Sequence, residues 1–368
     1  MVFVMAAGGT GGHVMPALAV ARELRRLGYE AVFVGTRRGL EARLAPAEGF
    51  RVEWIRIGGW QRVGLARRVR TLAELPWSVL RAALLLGRLG AAAVFSMGGY
   101  AAAPVCMAAW LRRIPVVLLE PNVAPGLVNR WTGRFAARIL VNFPDTAAVF
   151  DPGRTEVAGM PVREEFFRLP PKTPGEWFDV LVTGGSQGSR TLNLAARESW
   201  PLFREAKARV RMVLQTGPAA YPELARQFEQ SGMPGRAVPF LDDMPAAFAA
   251  ADLVVSRAGA GAVAELAAAG KPAILVPFPY AADQHQLRNA EALVRAGAAR
   301  MVEDRRLDGR RLFSEVMELA GRAGELEAMG RAVRRFARPD AARRAAAALV
   351  EAAQARKELD RESGLIKQ

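Results

Sequence analysis

Short apolar runs alternate along this chain with longer stretches in which apolar and polar positions follow a helical period. The run Val2–Met5 ends in a glycine-rich turn, and a helical pattern follows from Pro16 to Leu27. Short apolar runs bounded by turns are typical of buried strands, and their alternation with helices predicts a parallel sheet covered by helices. The same pattern predicts a helix at Leu40–Ala47 and strands at Ala31–Val34, Val52–Ile57, Ala92–Ser96 and Val116–Leu119.

The second half of the chain opens in the same manner. Asp179–Thr183 is a predicted strand, Gly184–Gly188 a glycine turn, and a helix begins near Thr191. Two doubly wound, Rossmann-like α/β domains facing a cleft are the simplest interpretation. Further strands are predicted at Val210–Gln215, Leu253–Ser256 and Ala273–Pro277.

The domain boundary is predicted near residue 162, because prolines and weak periodicity mark a linker there. The domains are therefore 1–162 and 163–339. An alanine-rich helix is expected at about 340–356, and the charged residues 357–368 are expected to form a disordered tail.

Length and composition fit this picture and narrow the class of protein. A chain of 368 residues with 51% hydrophobic and 24% charged residues can form two globular cores. The single cysteine, Cys106, excludes an intramolecular disulfide, fits a reducing compartment and has the apolar neighbours of a buried residue. Neither a secretory signal nor a membrane-spanning run is evident, so a soluble or peripheral protein is expected.

The net charge of +15 predicts anionic partners. Eight arginines and one acid, Glu74, lie between Gln61 and Arg113, interleaved with leucines and tryptophans. Basic residues beside an apolar stripe suit an anionic membrane surface, and an ordinary amphipathic helix with a solvated basic face is the alternative. Nucleic-acid binding is not expected, because zinc ligands and an aromatic stacking platform are lacking.

Both glycine turns are predicted to lie at the carboxyl ends of strands, where open parallel sheets bind ligands. A glycine turn followed by a helix start offers free backbone N–H groups to a phosphate. Glycine also serves close packing of helix on strand, so one turn alone is weak evidence. Neither turn is a P-loop, and Val14 breaks the dinucleotide-binding pattern.

Two side chains near such helix starts could carry chemistry. His13 directly follows the first turn, where a helix N-terminus favours neutral imidazole and thus a general base; a structural histidine is the alternative. Glu265 follows the glycines of 258–262 and could accept two ribose hydroxyls, or simply interact with the helix dipole. Two distant histidines and one cysteine form no metal cluster, so neither metal nor cofactor is expected.

Eight segments of the chain together resemble the MurG family, the UDP-N-acetylglucosamine:undecaprenyl-diphospho-muramoylpentapeptide N-acetylglucosaminyltransferases of bacterial cell-wall synthesis. They occur in the family's order and spacing and span nearly the whole chain. The segments are GGTGGHVMPALAVA (8–21), SMGGYAAAP (96–104), EPN (120–122), GMPVR (159–163), VTGGSQGSRTLN (182–193), FLDDM (240–244), SRAGAGAVAELAAAGKPAILVPFP (256–279) and DQHQLRNA (283–290).

The resemblance implies the GT-B glycosyltransferase architecture, with the C-terminal helix packing back on the first domain. It implies inverting transfer of N-acetylglucosamine from UDP-N-acetylglucosamine to the C4 hydroxyl of the muramoyl sugar of lipid I, which gives lipid II. It further implies peptidoglycan synthesis, with roles in cell shape, division and the cell cycle, and a peripheral location on the cytoplasmic side of the cell membrane. Another lipid acceptor, such as diacylglycerol, and a catalytically silent membrane adaptor are the alternatives.

The site residues implied by the resemblance fall on matching positions of this chain. His13 is the favoured base and Glu120 its competitor. Substrate contacts are implied for Thr10, Gly11 and Gly12 (phosphates), Asn122 and Arg163 (donor sugar and phosphate side), Ser186 (diphosphate), Leu241 (uracil), Ala260, Gly261, Ala262, Val263 and Ala264 (nucleoside and phosphate), Glu265 (ribose) and Gln286 (sugar). The chain departs from the family at Leu119 and Pro121, where histidine and glutamine are common, and at 261–262, where leucine and threonine are often found.

Overall fold

The computed structural model describes residues 1–8, 11–37, 39–55, 65–173 and 175–363, with the side chains of 65–73 excepted. The chain divides into two compact units. Unit 1 comprises Met1–Val162 and Arg338–Gln368, and unit 2 comprises Arg163–Ala337. Unit 2 therefore ends at Ala337, slightly before the predicted domain end at 339, and the chain returns to unit 1 at Arg338.

Unit 1 is built on seven parallel strands in the order β3-β2-β1-β4-β5-β6-β7. Its strands are β1 (Val2–Ala6), β2 (Glu30–Gly35), β3 (Arg51–Trp54), β4 (Ala91–Ser96), β5 (Val116–Glu120), β6 (Arg138–Val141) and β7 (Thr155–Val157). Its helices are α1 (Gly11–Arg26), α2 (Glu41–Ala47), α3 (Leu65–Arg88), α4 (Ala102–Leu111), α5 (Leu127–Thr132), α6 (Pro144–Ala147) and the C-terminal α14 (Ala341–Glu362).

Successive side chains of the central strand β1 enter opposite layers of the core. Phe3 and Met5 pack with α1 and α14, whereas Val4 and Ala6 pack with α3 and α4. Burial of both faces explains why the strands read as continuous apolar runs and not as alternating patterns. Cys106 is buried in the second layer, as predicted, and burial raises the pKa of its thiol to about 11.

Unit 2 repeats the design with six parallel strands in the order β10-β9-β8-β11-β12-β13. Its strands are β8 (Phe178–Thr183), β9 (Val210–Gln215), β10 (Gly235–Val238), β11 (Leu253–Ser256), β12 (Ala273–Leu275) and β13 (Arg300–Met301). Its helices are α7 (Arg190–Glu205), α8 (Tyr221–Ser231), α9 (Met244–Ala250), α10 (Ala260–Ala269), α11 (His285–Arg295), α12 (Gly309–Ala320) and α13 (Ala323–Arg334), with 3₁₀ turns at Glu164–Arg168, Ala282–Gln284 and Asp304–Arg306.

In both sheets the strand order reverses beside the first strand, between β1 and β4 and between β8 and β11. Connections leave the sheet in opposite directions at such a point, and this opens a crevice at the carboxyl ends of the strands. The two glycine turns follow β1 and β8. The fold therefore places each turn at the switch point of its own sheet.

Two boundary predictions were wrong. Helix α1 begins at Gly11 and not at Pro16, so Pro16 lies in its second turn and leaves the Gly12 carbonyl without its helical N–H partner. Helix α14 continues to Glu362 through most of the predicted disordered tail, since its residues have high helix propensity and its apolar face packs on unit 1. The tail residues 364–368 lie outside the described part of the chain.

Candidate functional site

The first glycine turn leads directly into α1. Gly8 follows β1, and Gly11 and Gly12 form the first residues of the helix, whose backbone N–H groups have no partner within the helix. Thr10, a predicted phosphate contact, lies outside the described residues, as does Gly9. The described part of the turn thus ends in a helix N-terminus whose first N–H groups have no partner within the helix, an arrangement that favours a phosphate.

His13, the third residue of α1, lies against the turn that follows β4. A Cβ atom on Gly99 would come within 3.4 Å of Nδ1 and Cε1 of the His13 ring. Gly99 has φ of +80°, a conformation that glycine adopts without strain. The close approach of backbone to imidazole therefore fixes one side of the half-buried ring at the carboxyl end of the sheet.

Glu120, the last residue of β5, is 1% exposed and both of its carboxylate oxygens accept hydrogen bonds. Oε1 accepts from the backbone N–H of Asn122 at 2.9 Å and from its Nδ2 at 3.2 Å. Oε2 accepts from the N–H of Gly126 at 3.1 Å and from Nδ2 of Asn129 at 2.7 Å. The carboxylate thereby fixes the loop that joins β5 to α5.

Burial raises the pKa of the Glu120 carboxyl above its ordinary value, and the hydrogen bonds from Asn122, Asn129 and Gly126 oppose that shift. A general base must reach the proton that it removes. Four donors already occupy this carboxylate, and it has almost no exposed surface. This geometry argues against Glu120 as the base and for a role in positioning Asn122.

The second glycine turn, after β8, is held by the end of the neighbouring strand β9. Thr183 donates through Oγ1 to Oε1 of Gln215 at 2.7 Å, and Nε2 of Gln215 donates to the Gly185 carbonyl at 3.3 Å. The backbones of Gly188 and Gly217 approach so closely that a Cβ on either residue would overlap the other loop. Ser186 stands exposed at the tip of the turn.

Arg257, which the sequence analysis did not single out, joins this turn to the loops that follow β11 and β12. Its guanidinium donates to Oγ of Ser189 at 2.7 Å and to the Val276 carbonyl at 3.1 Å, and pairs with Asp304. Ser189 in turn caps α7 by accepting from Leu192. The only sequence signal is a lone arginine between an apolar strand and a glycine-containing helix start.

Helix α10 presents the third helix start at the carboxyl edge of the unit 2 sheet. Gly259 precedes it without a side-chain cap, and a Cβ on Gly261 would meet no atom within 4 Å. Ala260 and Ala262 are half-buried beside it, whereas Val263 and Ala264 face the core. The first turn of α10 therefore has unpaired N–H groups next to open space, the combination that favours an anion.

Glu265 lies one turn further along α10. Burial raises the pKa of its carboxyl to about 7, and the positive charge of Arg163 opposes this shift. Such a carboxyl is half ionised near neutral pH in the absence of ligand. It becomes a strong hydrogen-bond acceptor when donors such as hydroxyl groups favour its charged form.

Two further residues that are predicted to contact the substrate lie in unit 2. Leu241 is buried in the loop that follows β10. Gln286 accepts through Oε1 from the N–H of Phe278 at 2.9 Å, which ties the start of α11 to the loop after β12. Asp283 and Gln284, the two residues that precede α11, both have positive φ, at 50° and 52°. Backbone strain of this kind in residues other than glycine is concentrated at ligand sites.

Within unit 1 the structure thus gathers Gly11, Gly12, His13 and Asn122 at the carboxyl edge of the sheet. Within unit 2 it gathers Ser186, Leu241, Ala260–Glu265 and Gln286 at the equivalent edge. Among the residues that the structure describes, no group of three His, Cys, Asp or Glu side chains is arranged to hold a metal ion.

Comparison with known proteins gives concordant matches along the chain. The model of the glycosyltransferase family 28 N-terminal domain matches residues 3–141, and that of the family 28 C-terminal domain matches residues 179–345. A UDP-N-acetylglucosamine--N-acetylmuramyl-(pentapeptide) pyrophosphoryl-undecaprenol N-acetylglucosamine transferase of Solibacter usitatus is 58% identical over 95% of this chain and 96% of its own length. The equivalent transferase of Halorhodospira halophila is 43% identical over 95% of this chain and 98% of its own.

A solved structure agrees with these relatives. The crystal structure of Acinetobacter baumannii MurG superposes with a TM-score of 0.80 at 28% identity, and the match covers 95% of this chain and 99% of that one. Together with the two parallel sheets, this likeness confirms the predicted fold class, two Rossmann-like α/β domains of the GT-B type.

Proposed function

This chain belongs to the MurG-type members of glycosyltransferase family 28, and we infer from that membership and from its site residues that it transfers N-acetylglucosamine from UDP-N-acetylglucosamine to lipid I. The product is lipid II, a precursor of peptidoglycan, so the enzyme acts in cell-wall biogenesis and through it in cell shape, division and the cell cycle. The identity of 58% along nearly the whole chain carries this assignment. Another lipid acceptor and a silent adaptor have no support among the relatives.

Unit 2 has the groups that a nucleotide-sugar donor requires. The unpaired N–H groups of the α10 start and the turn at Ser186 face the diphosphate, and Glu265 accepts the ribose hydroxyls. The backbone at Leu241 contacts the uracil, and Gln286 contacts the sugar. Charge that develops on the departing UDP is stabilised by the helix N-terminus and by backbone N–H groups. Arg163 is a further proposed contact in unit 2 on the sugar and phosphate side, and Asn122 of unit 1 is proposed to contact the same side of the donor.

Unit 1 has the groups that act on the acceptor. The N–H groups at Gly11 and Gly12 bind the acceptor diphosphate, and His13 removes the proton from the C4 hydroxyl of the muramoyl sugar. The hydroxyl oxygen attacks C1 of N-acetylglucosamine on the face opposite UDP. The bond from C1 to the diphosphate oxygen breaks, UDP leaves with the electron pair, and the configuration at C1 inverts.

The direct test is transfer of labelled N-acetylglucosamine from UDP-N-acetylglucosamine to a soluble lipid I analogue in the presence of excess chelator. We expect labelled disaccharide product at an unchanged rate with and without chelator. Donor binding without transfer to this acceptor, together with transfer to a diacylglycerol analogue, would refute the assignment of lipid I.

Donor binding should strengthen as pH rises from 6 to 8. With a pKa of about 7, Glu265 is mostly neutral at pH 6 and mostly ionised at pH 8, and only the carboxylate accepts both ribose hydroxyls. We expect the dissociation constant at pH 6 to be about 10-fold higher than at pH 8, and binding near neutral pH to release protons. Calorimetry with UDP-N-acetylglucosamine measures both effects, because its diphosphate does not titrate in this range.

The control for this pH dependence is Glu265→Gln, which should bind the donor more weakly and with a flat profile. An unchanged slope in that variant would assign the titration to another group.

A membrane contact is proposed at the exposed apolar side chains of α3 and α4. Trp77, Leu80, Leu84, Trp110 and Leu111, which we call the α3–α4 surface, are each 48–64% exposed, and Arg81, Arg88, Arg112 and Arg113 lie beside them. An apolar surface with a basic border suits an anionic bilayer. No helix among the described residues is long and apolar enough to cross a membrane. Of the wider predicted basic stretch, residues 61–64 and the side chains of 65–73 lie outside the description.

The double variant Trp110→Ala/Leu111→Ala should bind vesicles that contain anionic lipid with a partition coefficient about 10- to 100-fold lower than that of the wild type, as measured by sedimentation. The reason is that both apolar side chains leave water when the wild-type protein binds the bilayer. Turnover of a soluble acceptor analogue should be unchanged. Leu359→Ala is the matched control, since Leu359 is 64% exposed on a helix outside the α3–α4 surface. Equal losses in both variants, or equal binding to neutral vesicles, would contradict this location.

A further inference from the structure

Each glycine turn is contacted by the loop that follows the neighbouring strand of its sheet. In unit 2 the contact is made by Gln215, the last residue of β9, and by Gly217, which follows that strand. In unit 1 it is made by Leu40 and Glu41 after β2: a Cβ on Gly11 would lie 3.6 Å from Cδ1 of Leu40, and a Cβ on Gly8 only 2.7 Å from Oε1 of Glu41. The two turns are therefore supported from equivalent positions by different chemistry.

Glu41 is completely buried, with an exposed fraction of 0%. Its Oε1 accepts from the backbone N–H of Thr36 at 2.8 Å and from the Thr36 hydroxyl at 3.4 Å. The carboxylate also fills the space that side chains on Gly8, Gly35 and Gly39 would require. A buried carboxyl group is enclosed here by three residues without side chains.

Burial of a carboxylate is costly, and an apolar residue would fill this space with less loss of free energy. The group is thus poorly explained by packing alone. What it provides is a carboxylate that is held by hydrogen bonds from Thr36 and lies directly against Gly8, the residue at which the first turn begins. A carboxylate held there leaves no room for a side chain at Gly8, and this packing limits where Gly8, and hence the start of α1, can lie.

We propose that Glu41 is a positioning residue for the acceptor diphosphate, acting through the turn that begins at Gly8. The proposal rests on the function proposed above, in which unit 1 binds the acceptor. The donor turn in unit 2 has its own support from Gln215 and Gly217, so loss of Glu41 should weaken acceptor use and spare donor binding. This selectivity separates a positioning role from a general structural one.

The kinetic experiment compares Glu41→Ala and Glu41→Gln with two controls. Glu41→Ala should raise KM for the lipid I analogue by about 10-fold or more while the dissociation constant of UDP-N-acetylglucosamine, measured by calorimetry, changes less than about 2-fold. Glu41→Gln retains a carbonyl acceptor for the Thr36 N–H and should recover most of the acceptor affinity. Gly217→Ala should show the reverse pattern, with weakened donor binding.

Glu315→Gln is the matched control for loss of a buried carboxylate. Glu315 is 6% exposed in unit 2 and pairs with Arg300 and Arg311, so this variant should lower thermal stability and leave both substrate constants unchanged. An unaltered acceptor KM in Glu41→Ala would overturn the proposal. So would equal losses of donor and acceptor affinity.

A double-mutant cycle tests the contact without relying on catalysis. Gly8→Ala alone should lower Tm by about 5–10 °C because its methyl group meets the Glu41 carboxylate, whereas adding Gly8→Ala to Glu41→Ala should cost only about 2 °C. Additive losses would refute the contact itself. A wild-type enzyme that does not use lipid I, combined with strong coupling in this cycle, would count against the proposed function and still support the role of Glu41 in ordering the turn.

Discussion

Replacement of His13 by alanine is expected to lower kcat by about 10²- to 10⁴-fold, the range typical for loss of a general base. The acceptor hydroxyl is a weak nucleophile unless its proton is removed as the bond to C1 forms. His13 lies at the start of α1, beside the proposed diphosphate site and against Gly99. Glu120, its rival, is enclosed by four hydrogen bonds.

Steady-state turnover with the soluble lipid I analogue measures this effect, and donor binding by calorimetry should remain unchanged. Added imidazole should restore part of the activity of His13→Ala, because it replaces the missing base in the space of the ring. His285→Ala is the control for this rescue and should not respond to imidazole. Activity of His13→Ala within a few-fold of wild type would exclude His13 as the base.

Glu120→Ala is expected to abolish measurable transfer and to destabilise unit 1. It leaves four N–H donors, from Asn122, Gly126 and Asn129, without their acceptor. The cost is about 2–5 kcal/mol of unfolding free energy, which corresponds to a decrease in Tm of about 5–15 °C. Differential scanning calorimetry measures the stability, and turnover below the unfolding temperature measures the activity.

Glu120→Gln should be milder, for a reason specific to this site. The new amide places an NH₂ group against donors, but Oδ1 of Asn129 is buried without a partner and becomes available if the Asn129 amide rotates. We therefore expect intermediate stability and a pH–rate profile with the same limbs as wild type. Loss of one limb in Glu120→Gln would show that Glu120 itself titrates in catalysis and would contradict a purely positioning role.

Much of the architecture followed from local pattern. The apolar runs predicted most of the central strands, and the two glycine turns located the starts of both doubly wound halves. The edge strands β7, β10 and β13 and the neighbouring strand β6 were not predicted, because each has only two to four residues and carries too little periodicity. The start of α1 was misplaced because proline is common in a first helical turn, whereas here it lies in the second.

Local sequence pattern predicted only part of the candidate site. His13 and Glu265 follow glycine-rich helix starts, which is a local signal, whereas Ser186 was implied by the family resemblance and lies in the turn before α7. The residues that hold the turns in place have no such signal. Arg257 is 68 residues from Ser189 and 47 residues from Asp304, and Glu41 contacts a glycine at the end of another strand.

The sequence by itself therefore determined most of the central strands and both glycine turns, since these depend on the residue types within a few positions of one another. Only the tertiary structure decided which polar side chains are satisfied and which remain available for chemistry. Glu120 shows the difference: at the level of sequence, the family resemblance makes its carboxylate a candidate for the base. In the folded protein, donors up to nine residues away occupy both of its oxygens, because the availability of a buried group depends on partners that only folding brings within hydrogen-bonding distance.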